Sequence, residues 1–250
     1  MITAGELYTY LNGFAPFETA MDFDNAGLLI GSEQQQSDAV LAALDATAAV
    51  LQEAHEKNIR IVLTHHPVIF RPIKNLLSDS IPYLAASLGI TVISAHTNLD
   101  IAPGGVNDTL AECIGIREEE RFDTDCALLG CCRQPLSCKD MALHIKSALS
   151  VQGLRYTDNG RMLHRIMVSC GAGGSSVGLA KSCGADALIT GEIKHHEILF
   201  ANNHGIAVFD LGHFNSEDMI IPKLCGTLSK QFPDTAFIQA DADTDGVHYI

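Results

Sequence analysis

Short apolar runs alternate with stretches of helical period along most of this chain. The runs at 28–30, 39–44, 61–63 and 91–94 in the first half have the length and boundaries of buried strands, as do those at 127–131, 165–169, 187–189, 206–210 and 236–238. Thr3 with Glu6 forms a capping box for a first helix ending near Asn12 and Gly13. Thr47 caps a helix through Asn58, and Ser80 with Pro82 in the first turn opens one that Gly89 ends. Further helices are predicted over 106–114, from Ser137 to about Ser150, after the glycine-serine turn at 171–176, and over 195–203. Ser216 is expected to cap a last long helix, broken or bent at Pro222. The acidic run Glu118, Glu119, Glu120 reads as a solvated loop.

Strands alternating with helices predict an α/β fold with mostly parallel sheets. A weak internal repeat divides it. The run into Thr64, His65 and His66 matches the run into Thr190, Gly191 and Glu192. The strand before His96 matches the strand before His213, and each of these histidines is followed four residues later by a carboxylate, Asp100 or Glu217. The expected organisation is two similar α/β halves, 1–120 and 121–250, forming one compact unit around a central cleft.

Composition narrows the function. The 250 residues are 47% hydrophobic, enough for a sizeable core, and carry a net charge of −14. That charge opposes a nucleic-acid footprint or an anionic-membrane one. It suits carboxylates that hold cations. None of the eight cysteines forms a CxxC pair, so they read as small core residues of a reducing compartment. Cys131 and Cys132 are neighbours, and adjacent cysteines bridge only with strain. The first residues lack a basic region ahead of an apolar one, and Asp45 interrupts the longest apolar stretch. The expected setting is therefore cytoplasmic, with no membrane span.

The chemistry gathers at strand ends. His65 and His66 stop the apolar run at 61–63, and Pro67 ends regular pairing. Taken alone, the pair reads as a loop with two ordinary histidines. Adjacent residues of an extended chain point to opposite sides, so such a pair serves two neighbouring metals more readily than one. His96 and Asp100, then His213 and Glu217, also follow predicted strands. Ligands of open parallel sheets bind at these carboxyl ends. Imidazole and carboxylate without thiolate suit zinc, iron, manganese or nickel in a catalytic site. Glu192 could orient a ligand imidazole or serve as a structural cap. His195 and His196 read as surface or helix-packing residues. Residues 171–176 have neither the Lys-Ser/Thr of a P-loop nor the GxGxxG spacing, and read as a tight turn. With no Trp and 6% aromatic residues, no stacking signature for a purine stands out.

The segments IVLTHHPVIF, SAHTNLD, TGEIKHHE and LGHFNSE, with DNAGLLIG near the start, resemble the NIF-three-like family of dinuclear metal-centre proteins. Members are often labelled homologues of a type-two GTP cyclohydrolase. The resemblance runs from Asp24 to Glu217 with the motifs in order. It implies two α/β halves, a homohexamer, and two divalent ions per chain. Residue by residue, it implies that His65 and His66 bind different metals, Asp100 one of them and His213 the other, with Glu217 bridging. His96 matches a histidine lining the site, expected as a catalytic proton shuttle or substrate contact. The implied function is a metal-dependent hydrolase of a small molecule, a nucleotide such as GTP if the label carries over. A metal-dependent phosphoesterase and a metal-binding scaffold with little turnover are the alternatives.

Overall fold

A computed structural model describes every residue except Tyr249. In chain order its strands are β1 (Ile2–Thr3), β2 (Gly27–Ile30), β3 (Gln36–Ser37), β4 (Ala39–Ala43), β5 (Ile61–Thr64), β6 (Thr91–Ser94), β7 (Ile116–Phe122), β8 (Ala127–Ser137), β9 (Arg155–Tyr156), β10 (Met162–Ser169), β11 (Ala187–Thr190), β12 (Ala207–Asp210) and β13 (Ala236–Gln239). The helices are α1 (Ala4–Phe14), α2 (Ala48–Glu56), α3 (Ile81–Ser87), α4 (Thr97–Ile101), α5 (Val106–Cys113), α6 (Cys138–Ala148), α7 (Val177–Ser182), α8 (His195–Asn203), α9 (His213–Glu217) and α10 (Ile220–Gln231). The α/β class read from the pattern is observed.

Two compact units form. One contains Met1–Ala102 and Ile220–Thr244, the other Pro103–Met219 and Asp245–Ile250. The boundary expected at 120/121 falls inside β7. Residues 220–244 return to the first unit because β13 pairs in parallel with β4, from Ala236 opposite Ala39 to Gln239 opposite Ala42.

The first unit holds a five-stranded sheet in the order β13-β4-β5-β6-β2. Its first four strands are parallel and β2 is antiparallel. β5 and β6 are buried at every position, which explains their unbroken apolar character. Leu41, Val62 and Val92 pack with Val50 and Leu51 of α2. Burying each such side chain contributes about 1.5–3 kcal/mol. Helix α2 begins where Thr47 Oγ1 accepts a hydrogen bond from Val50 N, and the Thr3–Glu6 capping box of α1 is fully formed.

The second unit holds a six-stranded sheet, β7-β8-β10-β11-β12-β9. Only β10, β11 and β12 run parallel; β7, β8 and β9 pair antiparallel, so this sheet is mixed. Its core joins Leu129, Met167, Leu188 and Val208 to Val177 and Ala201. Two local expectations are corrected here. Glu118, Glu119 and Glu120 lie in strand β7, not in a loop. β7 is an edge strand whose glutamates face water, so no apolar alternation marks it in sequence. Ser216 does not cap the last long helix. It lies within α9, and α10 begins at Ile220. Pro222 is the third residue of α10, where the missing N–H breaks no internal bond.

Phe209 of β12 is completely buried and stacks on Tyr156 at 5.9 Å between ring centroids. Phe209→Ala is expected to destabilise the protein by about 3–5 kcal/mol, read as a lower denaturant midpoint at unchanged slope. A loss below about 1 kcal/mol would show that this sheet does not rely on the ring.

Candidate metal centre

Parallel strands share a direction, so their carboxyl ends lie on one edge of a sheet. In the first unit β4, β5 and β6 end there side by side, followed by Asp45, His65-His66 and His96. The antiparallel β2 brings its amino end to the same edge, with Gly27 opposite Ser94. That geometry delivers Asp24, just upstream of β2, beside His96.

The strand ladder continues into the histidine pair. His65 N donates to Ala43 O and His66 N to Leu44 O, so both Cα positions are fixed before any side-chain contact forms. Thr64 ties the end of β5 to β6 through the 2.7 Å contact of its hydroxyl with Ser94 Oγ, and donates to His66 O at 2.8 Å. The two rings then diverge. His65 is wholly buried and its Nδ1 lies 2.9 Å from Ala95 O, on the β6 side. His66 is half-buried and its Nδ1 lies 3.0 Å from Asp45 Oδ1, on the β4 side. A carbonyl can only accept, so His65 carries its proton on Nδ1 and turns the lone pair of Nε2 inward. Asp45, as a carboxylate, selects the same tautomer in His66.

His96 repeats the pattern. Its Nδ1 is 2.8 Å from Asp24 Oδ1. The second oxygen of Asp24 accepts from Thr97 N at 3.0 Å and from Thr97 Oγ1 at 2.5 Å. Burial pushes the Asp24 carboxyl up, but the bonds from His96, Thr97 and Asn25 outweigh it and hold the group at about 2. Asp24 is therefore a carboxylate at neutral pH, and His96 keeps its proton on Nδ1. Donor atoms of His65, His66 and His96 all lie within 4.8 Å of one another. Asp100, on the short helix α4, brings Oδ1 to 3.5 Å from His65 Nε2.

In the second unit β10, β11 and β12 deliver Gly171, Glu192 and His213 to the corresponding edge. His213 Nδ1 lies 3.1 Å from Glu192 Oε1, and its Nε2 lies 3.2 Å from Glu217 Oε2 one turn along α9. Glu217 is 2% exposed and Glu192 is exposed. With one ring nitrogen bonded to Glu192, the approach of Glu217 to the other asks for a positive charge, either a second proton or a metal ion.

Two glycines make room for this pair. Gly171 has φ +53°, and a Cβ there would overlap Glu217 Oε1 and come within 3.3 Å of His213 Nε2. Its N–H donates to Ser216 Oγ at 2.9 Å, while Ser216 Oγ donates to His213 O at 2.8 Å. A Cβ at Gly191 would strike the same Ser216 hydroxyl. The turn at 171–176 is thus a packing turn against α9, with Gly173 and Gly174 buried.

These residues fit divalent ions. Two ligands about 2.1 Å from one ion lie at most roughly 4 Å apart, and the His65–Asp100 and His213–Glu217 atom pairs meet that limit at 3.5 and 3.2 Å. The donors are imidazoles and carboxylates only, as zinc, iron, manganese or nickel would accept. An imidazole whose other nitrogen bonds a carbonyl or carboxylate is the usual state of a metal-binding histidine. Burial pushes the thiols of Cys132 and Cys225 up to about 11, which suits core packing and not ligation. His195 and His196 are exposed on α8.

The family model described as Duf34/NIF3 (NGG1p interacting factor 3) matches residues 2–245. The chain belongs to the Duf34/NIF3 family. The resemblance read from the motifs is thereby confirmed. Among relatives of this Duf34/NIF3 protein, one from Clostridium perfringens is 32% identical, with 98% of each chain covered, and one from Clostridium acetobutylicum is 30% identical, with 96% of each covered. Both are named "GTP cyclohydrolase 1 type 2 homolog". A Helicobacter pylori protein, 30% identical with 87% of this chain and 88% of its own covered, is named "GTP cyclohydrolase 1 type 2". The crystal structure of a Staphylococcus aureus hypothetical protein superposes with a TM-score of 0.90 at 27% identity, covering 100% of this chain and 99% of that one. Among the described residues no helix is long and apolar enough to cross a membrane.

Asp24 and Asp45 escaped the sequence reading. The strand-end rule, applied to β4, points to Asp45. Asp24 became visible only once β2 was known to run antiparallel. A paired substitution tests this steric arrangement in the second unit. Gly171→Ala should lower stability by about 1–3 kcal/mol and reduce metal uptake, because the backbone is left-handed and the methyl displaces Glu217. Gly178→Ala in α7, where a Cβ meets nothing within 4 Å, should be neutral or stabilising by about 0.5–1 kcal/mol. Equal effects at both positions, by thermal melting and metal content, would refute the steric argument.

Proposed function

We propose that this chain is a dinuclear metal-dependent hydrolase. His65, His66, Asp100, His213 and Glu217 hold two divalent ions, and His96 handles a proton. The observation that carries the reading is the restraint on the imidazoles. His65, His66, His96 and His213 each have Nδ1 within 3.1 Å of an oxygen acceptor: Ala95 O, Asp45, Asp24 and Glu192. Four rings preset to the same tautomer are what metal binding and proton transfer require. That the donors of the two units serve one centre is taken from the family resemblance.

Divalent ions in such a centre would supply Lewis acidity and a water acidified into the neutral range. The protein's own part is to hold the donors and to move protons. By the family resemblance, His65 and His66, anchored toward opposite neighbouring strands, would hold different ions, and Glu217, buried and carrying two oxygens, would be a further ligand. His96 receives a proton on Nε2 while Asp24 stabilises the imidazolium that results, which keeps proton transfer beside the reacting centre. The names of the relatives support GTP as the first substrate to assay. The homohexamer implied by the resemblance belongs to the same proposal.

The test is metal content joined to turnover. After reconstitution with zinc, iron, manganese or nickel, elemental analysis should find close to two ions per chain in the wild type, and fewer in His65→Ala and Glu217→Ala. GTP hydrolysis should fall at least a hundredfold in both variants, the scale of losing a residue that organises a catalytic centre. A wild type that takes up less than one ion per chain would remove the dinuclear reading. Full metal loading with equal turnover in wild type and variants would instead favour a metal-binding scaffold.

A further inference from the structure

The first unit exposes two phenylalanines where burial would be expected. Phe23 is 66% exposed and Phe70 is 43% exposed. They come from loops far apart in sequence, yet their ring centroids are 6.3 Å apart at an interplanar angle of 59°. Phe70 in turn stands edge-on to His96, with centroids 6.1 Å apart at 83°. His96 continues the series to His66 at 5.6 Å and His65 at 5.2 Å. A run of rings thus leads from solvent to the histidine cluster.

The pair is held in place. Asn25 Nδ2 donates to Ile69 O at 2.5 Å, joining the turn that carries Phe23 to the loop that carries Phe70. Beside it, Asp24 bonds His96 and Thr97 and accepts from Asn25 N at 2.7 Å. The segment Phe23-Asp24-Asn25 therefore fixes two aromatic faces and one imidazole relative to each other. Low aromatic content hides this in the sequence, because the two rings lie 47 positions apart, at 23 and 70.

We propose that Phe23 and Phe70 form a stacking platform for a planar heteroaromatic ring, presented to His96 and the neighbouring histidines. This rests on the hydrolase reading and names the class of its substrate: a compound whose reacting atom lies in or beside a flat ring, such as a purine nucleotide. An aromatic side chain stacks on any base through its π-face, and removing one weakens binding by about 1–3 kcal/mol. His96, edge-on to Phe70 and with its proton held on Nδ1 by Asp24, offers Nε2 as an acceptor to the edge of a ring so placed. The remaining selectivity would come from polar contacts.

The test uses the metal-loaded full chain and two probes, GTP and inorganic triphosphate, titrated by calorimetry. Phe23→Ala and Phe70→Ala should each raise the Kd for GTP about tenfold. Triphosphate, which has no ring, should bind as it does to wild type. Phe70→Tyr, which keeps the π-face, should retain most of the GTP affinity. Asn25→Ala keeps both rings but releases their tether, and should weaken GTP selectively as well. Equal loss of GTP and triphosphate, or no loss of either, overturns the platform, as does a wild type that binds no GTP. A parallel mass measurement by light scattering closes the other route: if the phenylalanine variants dissociate into smaller species, the pair is a contact between copies and the proposal fails. Selective GTP binding without turnover would leave the platform standing and sink the hydrolase reading, so the two failures are separable.

Discussion

The alignment of strand ends constrains everything else in this protein. Parallel pairing of β4, β5 and β6 brings Asp45, His65-His66 and His96 to one edge, and pairing of β10, β11 and β12 does the same for Gly171, Glu192 and His213. The apolar side chains of these strands have no chemistry, but their burial sets the register. A shift of one residue in β5 would turn both imidazoles to the wrong side. The hydrophobic core thus determines the donor geometry before any ligand binds.

A second layer converts position into readiness. Each anchored histidine commits Nδ1 to an oxygen of the protein, which orients the ring. The anchors differ in kind. Ala95 O is part of the backbone and can only accept, so it fixes the Nδ1 proton of the buried His65. Asp45, Asp24 and Glu192 are carboxylates, and they can take up part of the charge when their partner ring gains a proton. Asp24 is kept acidic by four hydrogen bonds.

Much of this was legible in the sequence because burial leaves a direct trace. The run Ile61, Val62, Leu63 announced a buried strand, and His65, His66, His96, Asp100, His213 and Glu217 stood just beyond such runs. The repeat pairs His96 with His213, and both stand after a parallel strand at the start of a short helix, α4 or α9. What escaped depended on distant partners. Glu118 to Glu120 form a strand only because β8 offers them a ladder, and an exposed edge needs no apolar residues. Ser216 has the chemistry of a helix cap, yet its hydroxyl serves Gly171 and His213. Asp24 is 72 positions from His96, and nothing local marks it as that histidine's partner.

The placement of β13 has a bearing on how the chain is made. The outermost parallel strand of the first sheet comes from residues 236–239, after the whole of the second unit. Until those residues leave the ribosome, β4 remains an open edge, with the amide and carbonyl groups that face β13 unpaired. The nascent first unit therefore has to wait, sheet incomplete, while more than a hundred further residues are synthesised. Over that interval the exposed ladder is the point most open to pairing with a neighbouring chain, and chaperone capture would be aimed at β4.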